Sequence, residues 1–405
     1  MKRVVTSFLI LLTATLNAQH TEGFNTPQPE GPWGVGKRLL EWIDSSRRDI
    51  TDTARNRTLP VWVWYPAEKN VAAAPQYTLP LQWRNEQGIY LDTKIGKGGS
   101  RFLQHLKTWA VTDAPVAAGK QKFPVLVFGP GHTWLPTDYS TIIEEIASNG
   151  YIVVGFVPTG FAGVTQLKDG KIIKGTLTVQ QQDIVFEDAL FVVKQLHTLQ
   201  QGWLKDRMDT GAIGIFGHSQ GGAAATVVAA RDPSLKAFVN LDGDLMDGAS
   251  KVKTRQPALL LSNDERVGIR TATGKMDREG RERSEYRRHA DWVRATDEGN
   301  VSLRLRINDI RHLNFTDLSL VPEDQMTDQE RKNKIGLVDG AETLKIIAQI
   351  TLRFFDSYLK TASFPSMVDL EKDYPRVEAL LWKGLPFVQH QAANGVRNGE
   401  AKTSR

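Results

Sequence analysis

A chain of 405 residues with 40% hydrophobic and 24% charged residues holds material for one large or two ordinary globular domains. Its formal net charge is +5, and Lys2 and Arg3 supply two of those charges, which excludes a nucleic-acid binder that works through charge. There is no cysteine, which excludes disulfides and thiolate metal sites.

In chain order, Lys2 and Arg3 precede an apolar run that ends near the small residue Ala18. Residues 1–18 read as a secretory signal, cleaved after Ala18, and the expected location is secreted or periplasmic. The run is shorter than the roughly 20 residues a membrane span needs. Residues 19–37, with Pro27, Pro29 and Pro32, are expected to form an irregular lead-in. Residues 47–65 read as an antiparallel hairpin with its turn at 54–57, and Pro66 stops the second strand. Residues 67–120 show no clear periodicity. Gly96, Gly98 and Gly99 interrupt them, a short helix is suggested at 102–109, and the stretch reads as an insertion near the mouth of a site.

From Phe123 the pattern becomes regular. Apolar strands are expected at 124–128, 151–157, 212–216, 237–241 and 258–261, with an alternating strand at 301–307. Helices are expected at 139–149, 180–201, 284–296 and 342–359, and Gly150 and Gly202 stop the first two. Residues 159–178 read as a Gly-rich hairpin over the site. Arg278 to Arg288, interleaved with Glu282 and Glu285, read as a solvated helix face. The tail at 363–405 is weakly patterned, and its last dozen residues are expected to be disordered. Strands alternating with helices predict a mostly parallel central sheet covered on both faces. One α/β domain is expected over 38–362, with an antiparallel hairpin at its N-terminal end. Ligands in such sheets bind beyond the carboxyl ends of the strands.

The pentapeptide Gly217-His218-Ser219-Gln220-Gly221 lies between the strand at 212–216 and a run of small residues. G-x-S-x-G also closes ordinary strand–helix turns, but this context is that of a nucleophile elbow. The glycines relieve crowding at a sharp turn, and the helix behind it aims free N–H groups where an oxyanion would form. A serine hydroxyl needs a base within reach. Only His289, His312 and His390 follow Ser219, and in this architecture the order is nucleophile, acid, histidine. His289 sits among arginines and His390 sits in the tail. His312 lies in a loop beyond a strand end and is the candidate base. His218, inside the elbow, is read as structural and pointing away. Asp242 and Asp264 each end a strand, and either serves as candidate acid. The backbone N–H groups of Gln220 and His132 are the candidate oxyanion donors. No H-E-x-x-H pattern or EF-hand spacing is present, so neither a metal nor a cofactor is expected.

Several runs resemble one family, the plasma-type platelet-activating-factor acetylhydrolases of the α/β-hydrolase superfamily. They are Leu59-Pro60-Val61-Trp62-Val63-Trp64-Tyr65-Pro66, Val127-Phe128-Gly129-Pro130-Gly131-His132, Tyr139-Ser140, Ala147-Ser148-Asn149-Gly150-Tyr151-Ile152-Val153-Val154, the elbow, Asn240-Leu241-Asp242-Gly243, and His312-Leu313-Asn314-Phe315-Thr316-Asp317. The resemblance spans 59–317 and implies a serine esterase acting on short or oxidised sn-2 acyl chains of phospholipids. It also places the acid after the strand that follows the elbow helix, which favours Asp242. Pro130-Gly131 stands where the family usually carries His-Gly, and 67–120 and the tail are unlike it. The partners this implies are a small-molecule or lipid ester and peripheral membrane contact, with Trp83 and Trp109 as candidate lipid-facing residues. General short-chain or polyester esterases, and serine peptidases on the same fold, are the alternatives.

Overall fold

Uncharged runs rich in β-branched and aromatic residues become strands buried on both faces, as parallel strands covered by helices must be. The computed structural model describes residues 24–69, 74–264, 270–271, 274–275 and 278–385. The expected signal segment at 1–18 and the last residues of the tail lie outside them.

The central sheet has ten strands: β1 (Gly34–Arg48), β2 (Asn56–Ala67), β3 (Val111–Thr112), β4 (Phe123–Gly129), β5 (Ile152–Phe156), β6 (Met208–His218), β7 (Ala237–Leu241), β8 (Ala258–Ser262), β9 (Ser302–Ile307) and β10 (Val377–Lys383). Their spatial order is β10-β9-β8-β7-β6-β4-β5-β2-β1-β3. The run from β9 to β5 is parallel, while β2 against β5, β1 against β2 and β10 against β9 are antiparallel. The long helices are α1 (Leu81–Ile95), α2 (Lys97–His105), α3 (Ser140–Ser148), α4 (Asp183–Gln201), α5 (Gln220–Arg231), α6 (Arg278–Thr296) and α7 (Gly340–Leu359).

The two-residue period of a strand divides the core in two. Leu126, Phe128, Phe216, Leu259 and Leu261 point toward α3 and α7. Val125, Val127, Ile215 and Leu260 point toward α4, α5 and the inner residues Trp292 and Ala295 of α6. Each such side chain contributes about 1.5–3 kcal/mol when fully buried. No helix among the described residues is long and apolar enough to cross a membrane.

The mostly parallel sheet with an antiparallel start is as expected, but three boundaries differ. The first strand begins at Gly34 inside the expected lead-in, and the hairpin turn lies at 49–55. β1 touches β3 only at Gly36 and Lys37, so most of it is an edge whose half-exposed residues need not alternate. In the 67–120 stretch, α1 and α2 replace the single short helix at 102–109. Gly98 and Gly99 do not interrupt α2, because they are where it packs closely against Gln325 and Leu318. The tail also supplies a strand of the sheet, β10, where only weak pattern was expected.

Candidate active site

The turn between β6 and α5 holds Ser219 at φ 54°, ψ −119°, in the strained left-handed region. A Cβ on Gly217 or Gly221 would collide with neighbouring backbone, and one on Gly222 with Asn240, so these glycines are set by close approach. The Ser219 N–H donates to Leu241 O at 2.8 Å, which fastens the elbow to β7. At the end of β7, buried Asn240 accepts from Gly243 N–H at 2.7 Å and donates to Gly243 O at 3.0 Å. That clasp turns the chain so that Asp242 adopts φ 56°.

The Asp242 carboxylate accepts four hydrogen bonds. Oδ2 takes His312 Nδ1–H at 2.6 Å and Asn263 Nδ2–H at 2.6 Å, while Oδ1 takes Asn263 N–H at 3.0 Å and Arg288 Nη1–H at 2.7 Å. Burial alone would raise its pKa, but the Arg288 guanidinium and the His312 ring outweigh burial and hold it well below the usual carboxylate range. An ionised carboxylate only accepts, so His312 Nδ1 carries a proton and Nε2 presents its lone pair.

His312 opens a short 3-10 turn, His312–Phe315, closed by Arg311 N–H donating to Asn314 Oδ1 at 2.7 Å. Behind the base stands His218, its ring 4.4 Å from that of His312 and stacked on Phe315 at 5.4 Å. His218 Nδ1 accepts from the Tyr139 hydroxyl at 2.8 Å. Burial first, and His312 second, lower its pKa well below the usual value and keep it neutral. His218 is therefore structural, but it backs the base instead of pointing away from it.

Three loops meet at the start of α3. The Tyr139 oxygen accepts from Gly131 N–H at 3.1 Å while its proton goes to His218. Asp317, five residues after His312, accepts from Ser140 N–H at 2.7 Å and Thr141 N–H at 3.1 Å. It sits where a carboxylate best satisfies the free donors of a helix start.

Ser219 and His312 line one cavity of about 250 Å³ with Gln220, His132, Asp242 and Arg288. Among the described residues, no hydrogen bond joins Ser219 Oγ to the His312 ring. In unliganded sites such bonds are often long and tighten with substrate. The Gln220 N–H lies in the first turn of α5, where it has no partner within the helix. His132 is held by Nε2–H donating to Leu177 O at 2.9 Å. Its neighbour Thr133, at φ 76°, is bridged to the 161–163 segment by Thr133 N–H to Phe161 O at 3.0 Å and Gly163 N–H to Thr133 O at 2.9 Å.

The other candidates fall elsewhere. Asp264 accepts from Asp309 N–H at 3.2 Å, and it is Asp242 that meets His312. His289 is half-buried on α6 beside Arg304, and His390 lies outside the described residues. Trp83 is fully buried with Nε1–H on Val164 O, and Trp109 donates to Thr26 O, so Trp83 does not belong to a lipid-facing rim. The solvated face expected for 278–288 does not hold at two positions: Arg288 bridges Asp242 and Asp244, and Glu285 pairs with Arg304 and Arg306. Sequence reasoning missed Arg288 and Asn263. Asn263 adjoins the end of β8, a position that could have flagged it; Arg288, 46 residues from Asp242 on α6, carries no local signal. His218, Asp242 and His312 bring donor atoms within 4.8 Å of one another. Of those atoms, the Asp242 oxygens and His312 Nδ1 are engaged in the bonds above.

The sequence profile of the Chlorophyllase family matches residues 104–270, and that of platelet-activating factor acetylhydrolase, isoform II, matches 18–157. A probable 1-alkyl-2-acetylglycerophosphocholine esterase from Arthroderma benhamiae is 27% identical over 244 residues, which are 56% of this chain and 60% of that protein. The chain thus spans less than two thirds of the length of the curated relative it matches. A ferulic acid esterase from Streptomyces cinnamoneus superposes with a TM-score of 0.66 at 25% identity, covering 89% of this chain and 100% of that one. The chain has an α/β-hydrolase fold, and part of its length is similar to platelet-activating factor acetylhydrolases. In this α/β-hydrolase, Ser219, Asp242 and His312 all stand at carboxyl ends of the parallel strands or in the loops beyond them, where the sheet binds ligands.

Proposed function

We propose that the chain is a serine carboxylic-ester hydrolase working through an acyl-enzyme. The observation that carries this is the 2.6 Å bond from Asp242 to His312, in a cavity that His312 shares with a serine held at an elbow. His312 Nε2 takes the proton of Ser219 as Oγ attacks the ester carbonyl, and Asp242 fixes the tautomer and stabilises the imidazolium. The Gln220 and His132 N–H groups receive the oxyanion, a contribution of about 3–4 kcal/mol per donor where one has been removed. His312 returns the proton to the leaving alcohol, and water then releases the acid by the same route.

The substrate class we favour is a phospholipid with a short or oxidised sn-2 acyl chain, supported by the acetylhydrolase relatives and the small cavity. The ferulic acid esterase neighbour, which covers most of the chain, favours a second reading as a general esterase of small alcohols and acids. Export through residues 1–18 to a secreted or periplasmic location completes the proposal. Ser219→Ala is expected to abolish turnover of p-nitrophenyl acetate and labelling by a fluorophosphonate. Turnover undiminished in that variant would remove the mechanism. A panel of esters, with and without a phosphocholine headgroup, separates the two substrate readings.

A further inference from the structure

The Asp242 carboxylate is shared between two cationic partners. His312 holds one oxygen, and Arg288, reaching down from α6, holds the other at 2.7 Å. Arg288 is almost fully enclosed, and its Nε–H is bonded to Asp244 Oδ1 at 2.6 Å, so the guanidinium bridges two carboxylates. A fixed positive charge on the far side of the acid opposes the field that Asp242 exerts on the imidazole, and in an enclosed site that opposition is weakly screened.

The geometry points to Arg288 as a positioning residue that sets the basicity of His312 through Asp242. It rests on the serine-hydrolase reading above. Arg288 keeps the acid ionised and locked while cancelling part of the field that the carboxylate exerts on the imidazole. Among the described residues, the charged and titratable groups around His312 come from five places. They are Asp242 and Asp244 after β7, His218 at the end of β6, His132 after β4, Arg288 on α6, and Arg311 beside it, which faces Asp264 and Asp309. His218 is neutral, and Arg311 lies between its own two acids, which leaves Arg288, among the described residues, as the cation that touches the acid.

Two effects of removing Arg288 have opposite signs, and this makes the idea testable. If it balances charge, its loss leaves Asp242 unopposed, and the imidazolium is favoured. If it only braces Asp242, its loss loosens the Asp242–His312 bond, and the imidazolium is disfavoured. The experiment follows kcat/KM for p-nitrophenyl acetate against pH in the full chain, comparing wild type, Arg288→Met and Arg288→Lys. Arg288→Met is expected to move the acid limb up by about one pH unit, and Arg288→Lys to return it most of the way. An acid limb that stays or moves down in Arg288→Met overturns the proposal. So does a raised KM for anionic esters with an unmoved limb, which would mark Arg288 as a substrate contact. Should Arg288→Met fail to fold, Asp244→Asn, at a partly exposed position, is expected to move the limb down, and an unmoved or raised limb overturns the proposal equally. Ser219→Ala, run alongside, separates the cases: activity that survives it defeats the hydrolase reading itself, whatever the Arg288 profile shows.

Discussion

Asp242 accepts from four donors, and an asparagine in its place can accept at only one atom. The new amide would face the His312 Nδ1 proton or the Arg288 guanidinium with hydrogens of its own. His312 would then swap tautomers and turn a proton toward Ser219 instead of a lone pair. Asp242→Asn is expected to lower kcat by about 10⁴-fold with the fold intact, by analogy with the same change in a serine protease triad. Steady-state kinetics beside a far-ultraviolet circular dichroism spectrum would check it, and a loss under tenfold would argue against the relay. At this scale the site was partly legible. Ser219 could be read because an elbow needs glycines at fixed offsets, and His312 because few histidines follow it. Spacing alone did not separate Asp242 from Asp264, since both end strands; family resemblance favoured Asp242, and the structure shows it bonded to His312. Arg288 reaches the site only because α6 crosses over the end of β7, and no residue beside it in sequence records that.

At the scale of elements, the start of α3 concentrates buried acid. Burial pushes the Asp138 carboxyl up to about 7 and that of Asp317 up to about 8, each partly offset by the N–H groups it accepts. An unfolded carboxyl releases its proton near about pH 4. Between these values the folded chain binds more protons than the unfolded one, so stability falls as pH rises through the window. These two groups therefore contribute most below about pH 4, and their contribution is lost by about pH 8. Asp138→Asn is expected to flatten part of the fall in melting temperature across this range, measured by differential scanning calorimetry. A slope identical to wild type would show that Asp138 is ionised in the fold. The element pattern was legible where both faces of a strand, or one face of a helix, are buried, as in β4, β5 and α7. It failed at β1 and α2. An exposed edge relaxes the alternation that marks a strand, and glycines that serve close packing look like helix breakers.

Across the whole molecule, the ten-stranded sheet is finished at one side by the tail. β10 pairs with β9, Glu378 meets Arg306 at 2.6 Å, and Trp382 packs near Phe364. A chain ending at Ala362 would leave β9 as an unpaired edge, which invites pairing with another molecule. It is expected to aggregate, or to melt well below the full chain, as read by size-exclusion chromatography and thermal denaturation. An unchanged elution volume and melting point would mean that the tail only decorates the sheet. The overall class was legible because alternating strands and helices leave few topologies open. The tail's part in it was not, since a strand that adds antiparallel at the sheet edge lies outside the alternating pattern. The junction of Tyr139, Ser140 and Thr141 also acts at this scale. These neighbours grip the loop of His132, the elbow of Ser219 and the arm that carries His312. The parts that must agree in distance during a reaction share one anchor point, as instruments share a bench. A jolt to that bench displaces them together and leaves their mutual alignment nearly untouched.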